Sequence, residues 1–129
     1  MITEDYVSFE TAKLLKEKGF DEYCGYYDKT GEYWDYKTFN HKGDEYISAP
    51  TLQMAMKWLR EEHNLHIIAI PYAPIDRPPH HPGEADVVYI GQIFKGIIPI
   101  DEVGRSIIKL SPEEACETAI KYCLEKLIK

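Results

Sequence analysis

Five of the chain's eight prolines, Pro71, Pro74, Pro78, Pro79 and Pro82, fall within a dozen positions. Proline fixes φ and has no backbone N–H, so neither a helix nor a central strand can run through this stretch. Residues 71–83 therefore read as a stiff, extended loop joining two apolar runs. Leu65 to Tyr72, with Ile67, Ile68 and Ile70, predicts a central strand buried on both faces. Asp86 to Lys95, with Val87, Val88, Tyr89, Ile90, Ile93 and Phe94, predicts a second long strand. Gly96 and Pro99 interrupt the next stretch, where Ile97 to Ile100 and Arg105 to Leu110 read as further short strands.

Three segments carry helical spacing. Ser8 to Lys18 places Phe9, Ala12, Leu14 and Leu15 on one stripe, with Ser8 as N-cap and Gly19 as a left-handed C-terminal stop. Leu52, Ala55, Met56 and Leu59 follow the i, i+3, i+4, i+7 pattern, with Ser48 as the expected cap, Pro50 in the first turn and an end near His63-Asn64. Ser111-Pro112-Glu113-Glu114 is a capping box with proline at the first helical position. It opens a face of Cys116, Ala119, Ile120, Cys123, Leu124 and Leu127.

Between the first two helices lies an aromatic hairpin. Tyr23 to Tyr27 and Tyr33 to Tyr36 flank Asp28-Lys29-Thr30-Gly31, a type I turn closing with a glycine bulge. Residues 37–44 read as loop, and Glu45 to Ser48 as a short third strand. Helices and strands do not alternate regularly, so an antiparallel or mixed sheet fits best. The expectation is one α+β domain over residues 1–129, with an antiparallel or mixed β-sheet and about three helices packed mainly on one face.

Composition narrows the function classes. A chain of 129 residues buries roughly two-thirds of its unfolded surface and needs no metal or disulfide to fold. Its net charge of −7 opposes binding to phosphate backbones and anionic membranes. No apolar run reaches the roughly 20 residues of a membrane helix. Met1 to Phe9 carries Glu4 and Asp5 and does not read as a signal peptide. Three cysteines, Cys24, Cys116 and Cys123, with no pairing pattern, predict reduced thiols and a cytoplasmic location.

No catalytic, cofactor or metal residue is singled out. His63 and His66 straddle a helix end rather than sharing one helical face. His80 and His81, with Glu84 and Asp86 nearby, carry metal-competent side chains, but adjacent residues in an extended segment point apart. No G-x-S-x-G elbow, phosphate loop or dinucleotide fingerprint is present. The aromatics of the hairpin cannot all face one side of a sheet, so some must lie outside. The candidate interaction surface is Tyr26, Tyr33 and Trp34 from the hairpin, with Tyr72, Arg77, His80 and His81 from the proline-rich segment.

Taken together, Thr3 to Phe9 running into Ala12 to Phe20, Ser48 to Arg60, and Glu113 to Ala115 with Ala119 to Leu124 resemble a family of small proteins of gut anaerobes found in phage or mobile-element neighbourhoods. The resemblance covers the three helices, about a third of the chain. It implies a context, and because that family has no established activity it transfers no site residue. The leading expectation is a non-enzymatic module whose partner is a protein, with a homodimer also open. The alternatives are a small metal-dependent hydrolase using His80 and His81, and a nucleic-acid binder or acidic mimic.

Overall fold

The computed structural model describes residues 4–72, 88–100, 108–109 and 111–128. Helix α1, Phe9–Glu17, starts where the Ser8 hydroxyl accepts the Thr11 N–H at 3.2 Å. It ends as its glycine demands. Gly19 takes φ +97°, and the Phe20 N–H returns to the Leu15 carbonyl, which turns the Phe20 ring into the core.

Strands β1, Cys24–Tyr27, and β2, Tyr33–Thr38, form the expected hairpin. The Gly31 N–H closes the turn on the Asp28 carbonyl at 3.0 Å, and Gly31 sits at φ +87°. Strand β3, Ile47–Ser48, pairs with the other edge of β1, giving a three-stranded antiparallel sheet in the order β2-β1-β3. A single 3-10 turn, Asn40–Lys42, occupies the predicted loop. Its Asn40 is buried, donating to the Phe20 carbonyl at 2.6 Å and accepting the Ser48 N–H at 2.8 Å. That one amide side chain ties the end of α1 to β3.

Helix α2, Leu52–His63, is capped by Thr51, whose hydroxyl accepts the Met54 N–H, and not by Ser48. Ser48 is held in β3, and Pro50 lies before the cap instead of inside the first turn. Asn64, at φ +53°, stops the helix and turns the chain into β4, Leu65–Tyr72. β4 pairs in unbroken antiparallel register with β5, Val88–Lys95, from Leu65↔Lys95 to Tyr72↔Val88. A two-residue turn with Gly96 at φ +63° leads to β6, Ile98–Pro99. β7, Ile108–Lys109, takes the far end of the same β5 edge. This second sheet is antiparallel too, so the fold is α+β, with three helices among the described residues.

Among the described residues, the predicted central strand is an edge strand. β4 buries Leu65 and half-buries Ile67 and Ala69 against the helices, while Ile68 and Ile70 on the other face are 50% and 40% exposed. A short apolar run looks the same whether one or two layers cover it, and here the helices cover one.

Helix α3, Pro112–Tyr122, begins at Ser111 as its capping signal predicts, the Ser111 hydroxyl accepting the Glu114 N–H at 3.1 Å. It continues into a π-type turn over Cys123–Leu127. α3 packs on β4 and β5, α2 packs on β4 and α3, and α1 bridges α3 to β3. The core joins Leu15 of α1, Leu59 of α2, Ile93 of β5 and Ile120 and Leu124 of α3 and its π-type extension, all fully buried.

Candidate interaction surface

Strand alternation divides the hairpin aromatics between two faces. Tyr27 stands opposite Tyr33 and also opposite Ile47, and this face turns inward. The Tyr27 hydroxyl donates to the Val7 carbonyl at 2.6 Å, and its ring meets Phe9 and Tyr33 edge-on. Tyr33 lies across Gly25, where a Cβ would fall 2.6 Å from the Tyr33 hydroxyl, so only glycine fits beneath the ring. Burial, followed by its neighbour Tyr6, pushes the Tyr33 phenol well above its ordinary range. Tyr33 is half-buried on this face, packed beside Tyr6 with ring centroids 5.0 Å apart.

Tyr26 stands opposite Trp34, and these two face outward with Tyr36, two residues further along the edge strand β2. Tyr46, just before β3, packs edge-on against Tyr26 with ring centroids 4.9 Å apart. Trp34 is 47% exposed and Tyr36 69%, while Tyr26 and Tyr46 are half-buried beneath them. Burial raises the Tyr26 phenol above its usual range, reinforced by the neighbouring Tyr46, Asp28, Tyr36 and Glu45. The result is a four-ring outer face with two proud aromatics.

Asp28 fixes the Trp34 ring. Its Oδ2 accepts the indole N–H at 2.9 Å, while Oδ1 accepts the Thr30 N–H at 2.8 Å, the Thr30 hydroxyl and the Glu32 N–H at 3.1 Å. The Thr30 hydroxyl first, and then the Trp34 N–H, hold the carboxyl down to about 2. It is ionised throughout the physiological range.

A cleft of about 550 Å³ opens where the starts of all three helices meet, bordered by Ser8, Leu52 and Ser111. Tyr27 and Lys109 lie on its wall with Glu113, Glu114 and Glu117. Carboxylates are favoured there because the helix N-termini carry partial positive charge. Glu117 shows the structural use: its Oε1 accepts the Ser8 N–H at 3.0 Å and the Thr11 hydroxyl at 2.7 Å, pinning α3 to the start of α1. Its Oε2 is buried with no partner among the described residues. Among those residues, no nucleophile lining this cleft is hydrogen-bonded to a base, so the site offers carboxylates without the rest of a hydrolytic constellation.

Among the described residues, no group of three or more histidine, cysteine or acidic side chains could hold a metal, and no helix is long and apolar enough to cross a membrane. His41 pairs with Asp21 at 2.7 Å in the open, stacked on Phe39. His63 packs edge-on against Trp58 at a helix end, and His66 reaches Asn64. The three cysteines are free, and burial raises each thiol, Cys123 to about 12.

Of the candidate surface residues, Tyr26 and Trp34 stand opposite each other, and Tyr33 lies on the opposite face of the same hairpin. Tyr72 closes β4 at its pair with Val88. Arg77, His80 and His81, and with them the metal-dependent alternative, lie outside the described residues. Sequence reasoning passed over Tyr36 and Tyr46 as surface residues. Tyr36 was recoverable from alternation with Trp34, and Tyr46 from the short strand expected over Glu45 to Ser48, although β3 itself begins one residue after it. Compared with known proteins, the chain matches no family model, no curated protein and no solved structure.

Proposed function

We propose that this chain is a non-enzymatic protein-interaction module that takes an extended segment of a partner protein on the outer face of the β2-β1-β3 sheet. One observation carries the reading: Trp34 and Tyr36 project from an edge strand, and a carboxylate holds the Trp34 indole in place. Tryptophan and tyrosine are the residues that most often dominate binding energy at protein interfaces, because they offer large area for little lost rotamer freedom. Among the described residues nothing pairs with the outer edge of β2, which adds backbone donors and acceptors that an extended peptide can pair with. The three reduced thiols fit work in the cytoplasm, and the resemblance of the helices adds a phage or mobile-element context.

Panning a random peptide library over the immobilised protein tests this, with the Trp34→Ala/Tyr36→Ala double variant as counter-screen. The expected binders lose at least tenfold in affinity for the variant while its circular dichroism matches the wild type, since both rings are outside the core. Binders that hold the variant equally well, or no enrichment at all, would overturn the reading.

Self-association is favoured by a different observation. β4 is eight residues long, free of Lys, Glu and Asp, in unbroken register with β5, and carries exposed Ile68 and Ile70 beside an edge that no described residue pairs with. Long, flat, apolar edges invite pairing with a second copy.

A further inference from the structure

We propose that the partner segment presents an arginine whose guanidinium stacks on the exposed face of Trp34 and pairs with the Asp28 carboxylate. This deepens the reading above and rests on the outer aromatic face being the binding surface.

The chemistry comes from what is already bound and what is not. Asp28 Oδ1 is saturated by three donors, whereas Oδ2 accepts only the Trp34 indole N–H among the described residues. Each carboxylate oxygen has capacity for about two hydrogen bonds, so Oδ2 keeps one acceptor direction beside the indole ring. The Trp34 N–H is already spent on Asp28, so the indole has no donor left for a partner carbonyl. What remains for a partner is the ring face, with negative charge at its edge. Both select a cation.

The surroundings have the same sign. Along the stretch that builds this sheet, Glu22 to Ser48, the sequence holds six carboxylates against three lysines, Lys29, Lys37 and Lys42, with Asp35 on the Tyr33 face. Asp28 and Glu45 both act on Tyr26 at the centre of the patch. Among the described residues no cation covers this ring, and the one cation over an aromatic face is Lys13, 4.7 Å from the Phe9 centroid. Arginine is favoured over lysine because a planar guanidinium can lie flat on the indole while one N–H reaches Oδ2. The same field rules against stacked nucleic-acid bases, whose phosphates would be carried toward Asp28 and Glu45.

The test uses the full chain and three synthetic heptapeptides of one sequence. Arginine alternates with serine and leucine in the first, and lysine or citrulline replaces arginine in the others. Binding is followed by the Trp34 indole resonance in ¹H–¹⁵N NMR. The arginine peptide is expected to shift that resonance and to bind at least tenfold more tightly than the neutral, nearly isosteric citrulline peptide, with lysine between. Asp28→Asn keeps an acceptor oxygen for the turn and removes the charge. It is expected to erase most of the arginine preference, and Glu45→Gln a smaller part. Equal binding of arginine and citrulline peptides would overturn the inference. So would an undiminished preference in Asp28→Asn with its Thr30 and Glu32 amide resonances in place. If those amides move, the arginine–citrulline comparison on the wild type decides alone. Library binders that need Trp34 and Tyr36 yet ignore peptide charge would sink this inference and leave the aromatic reading standing. Binders indifferent to both rings would sink both.

Discussion

Asp28 makes four hydrogen bonds from a turn that sequence chemistry already placed, because Asp at the first position and Gly at the fourth are what such a turn requires. Its consequence is a pH dependence with a definite sign. The folded carboxyl sits at about 2, below its ordinary 3.8, so ionised Asp28 stabilises the hairpin fully above about pH 4. That contribution is lost as pH falls toward 2. Protection factors at the Thr30 and Glu32 amides, corrected for intrinsic exchange at each pH, should fall across that window and stay flat in Asp28→Asn. The cysteines give a second prediction. A thiol raised to about 12 has almost no thiolate at neutral pH, so Cys123 should resist a disulfide reagent until the protein is denatured. Half-buried Cys116 should react first, and three equivalents should titrate only in denaturant. Asn40 was not legible in advance. Nothing local distinguishes a polar loop residue from one whose amide bridges α1 and β3, since both its partners are distant in sequence.

At the scale of elements, local rules decided what could be read. α1 and the start of α3 were legible because cap and periodicity agree within each segment. The start of α2 was misread because Ser48 and Thr51 are both competent caps, and the pairing of Ser48 beside Tyr26 in β3 chose between them. β4 was legible as a strand but not as an edge, since edge position depends on what the rest of the chain does. Its exposed isoleucines carry a prediction. Ile68→Lys should leave the fold intact and suppress any concentration-dependent association seen by sedimentation, because a charged edge resists pairing. An unchanged profile in a self-associating wild type would place the contact elsewhere. Glu117 joins elements as well: Glu117→Ala should cost about 1–3 kcal/mol in chemical denaturation, since it takes the acceptor from the buried Thr11 hydroxyl and unties α3 from the start of α1.

At the scale of the molecule, the two sheets share one core through the helices between them. Leu59, fully buried in a cluster drawn from all three helices and β5, is the sensitive point. Leu59→Ala should cost about 2–5 kcal/mol, read as a lowered denaturation midpoint with an unchanged slope. The aromatic sheet is fastened to this core at several places. The Lys16 ammonium donates to the Gly43 and Tyr46 carbonyls, Asn40 spans α1 and β3, and the Tyr27 hydroxyl holds the Val7 carbonyl. Lys16 holds the backbone at Gly43 and at Tyr46, whose ring packs against Tyr26. A surface bolted down this way has nothing to rearrange when a visitor arrives. Free and occupied forms should superpose along β1 to β3, and discrimination among visitors should show up in how long each one stays rather than in how fast it lands.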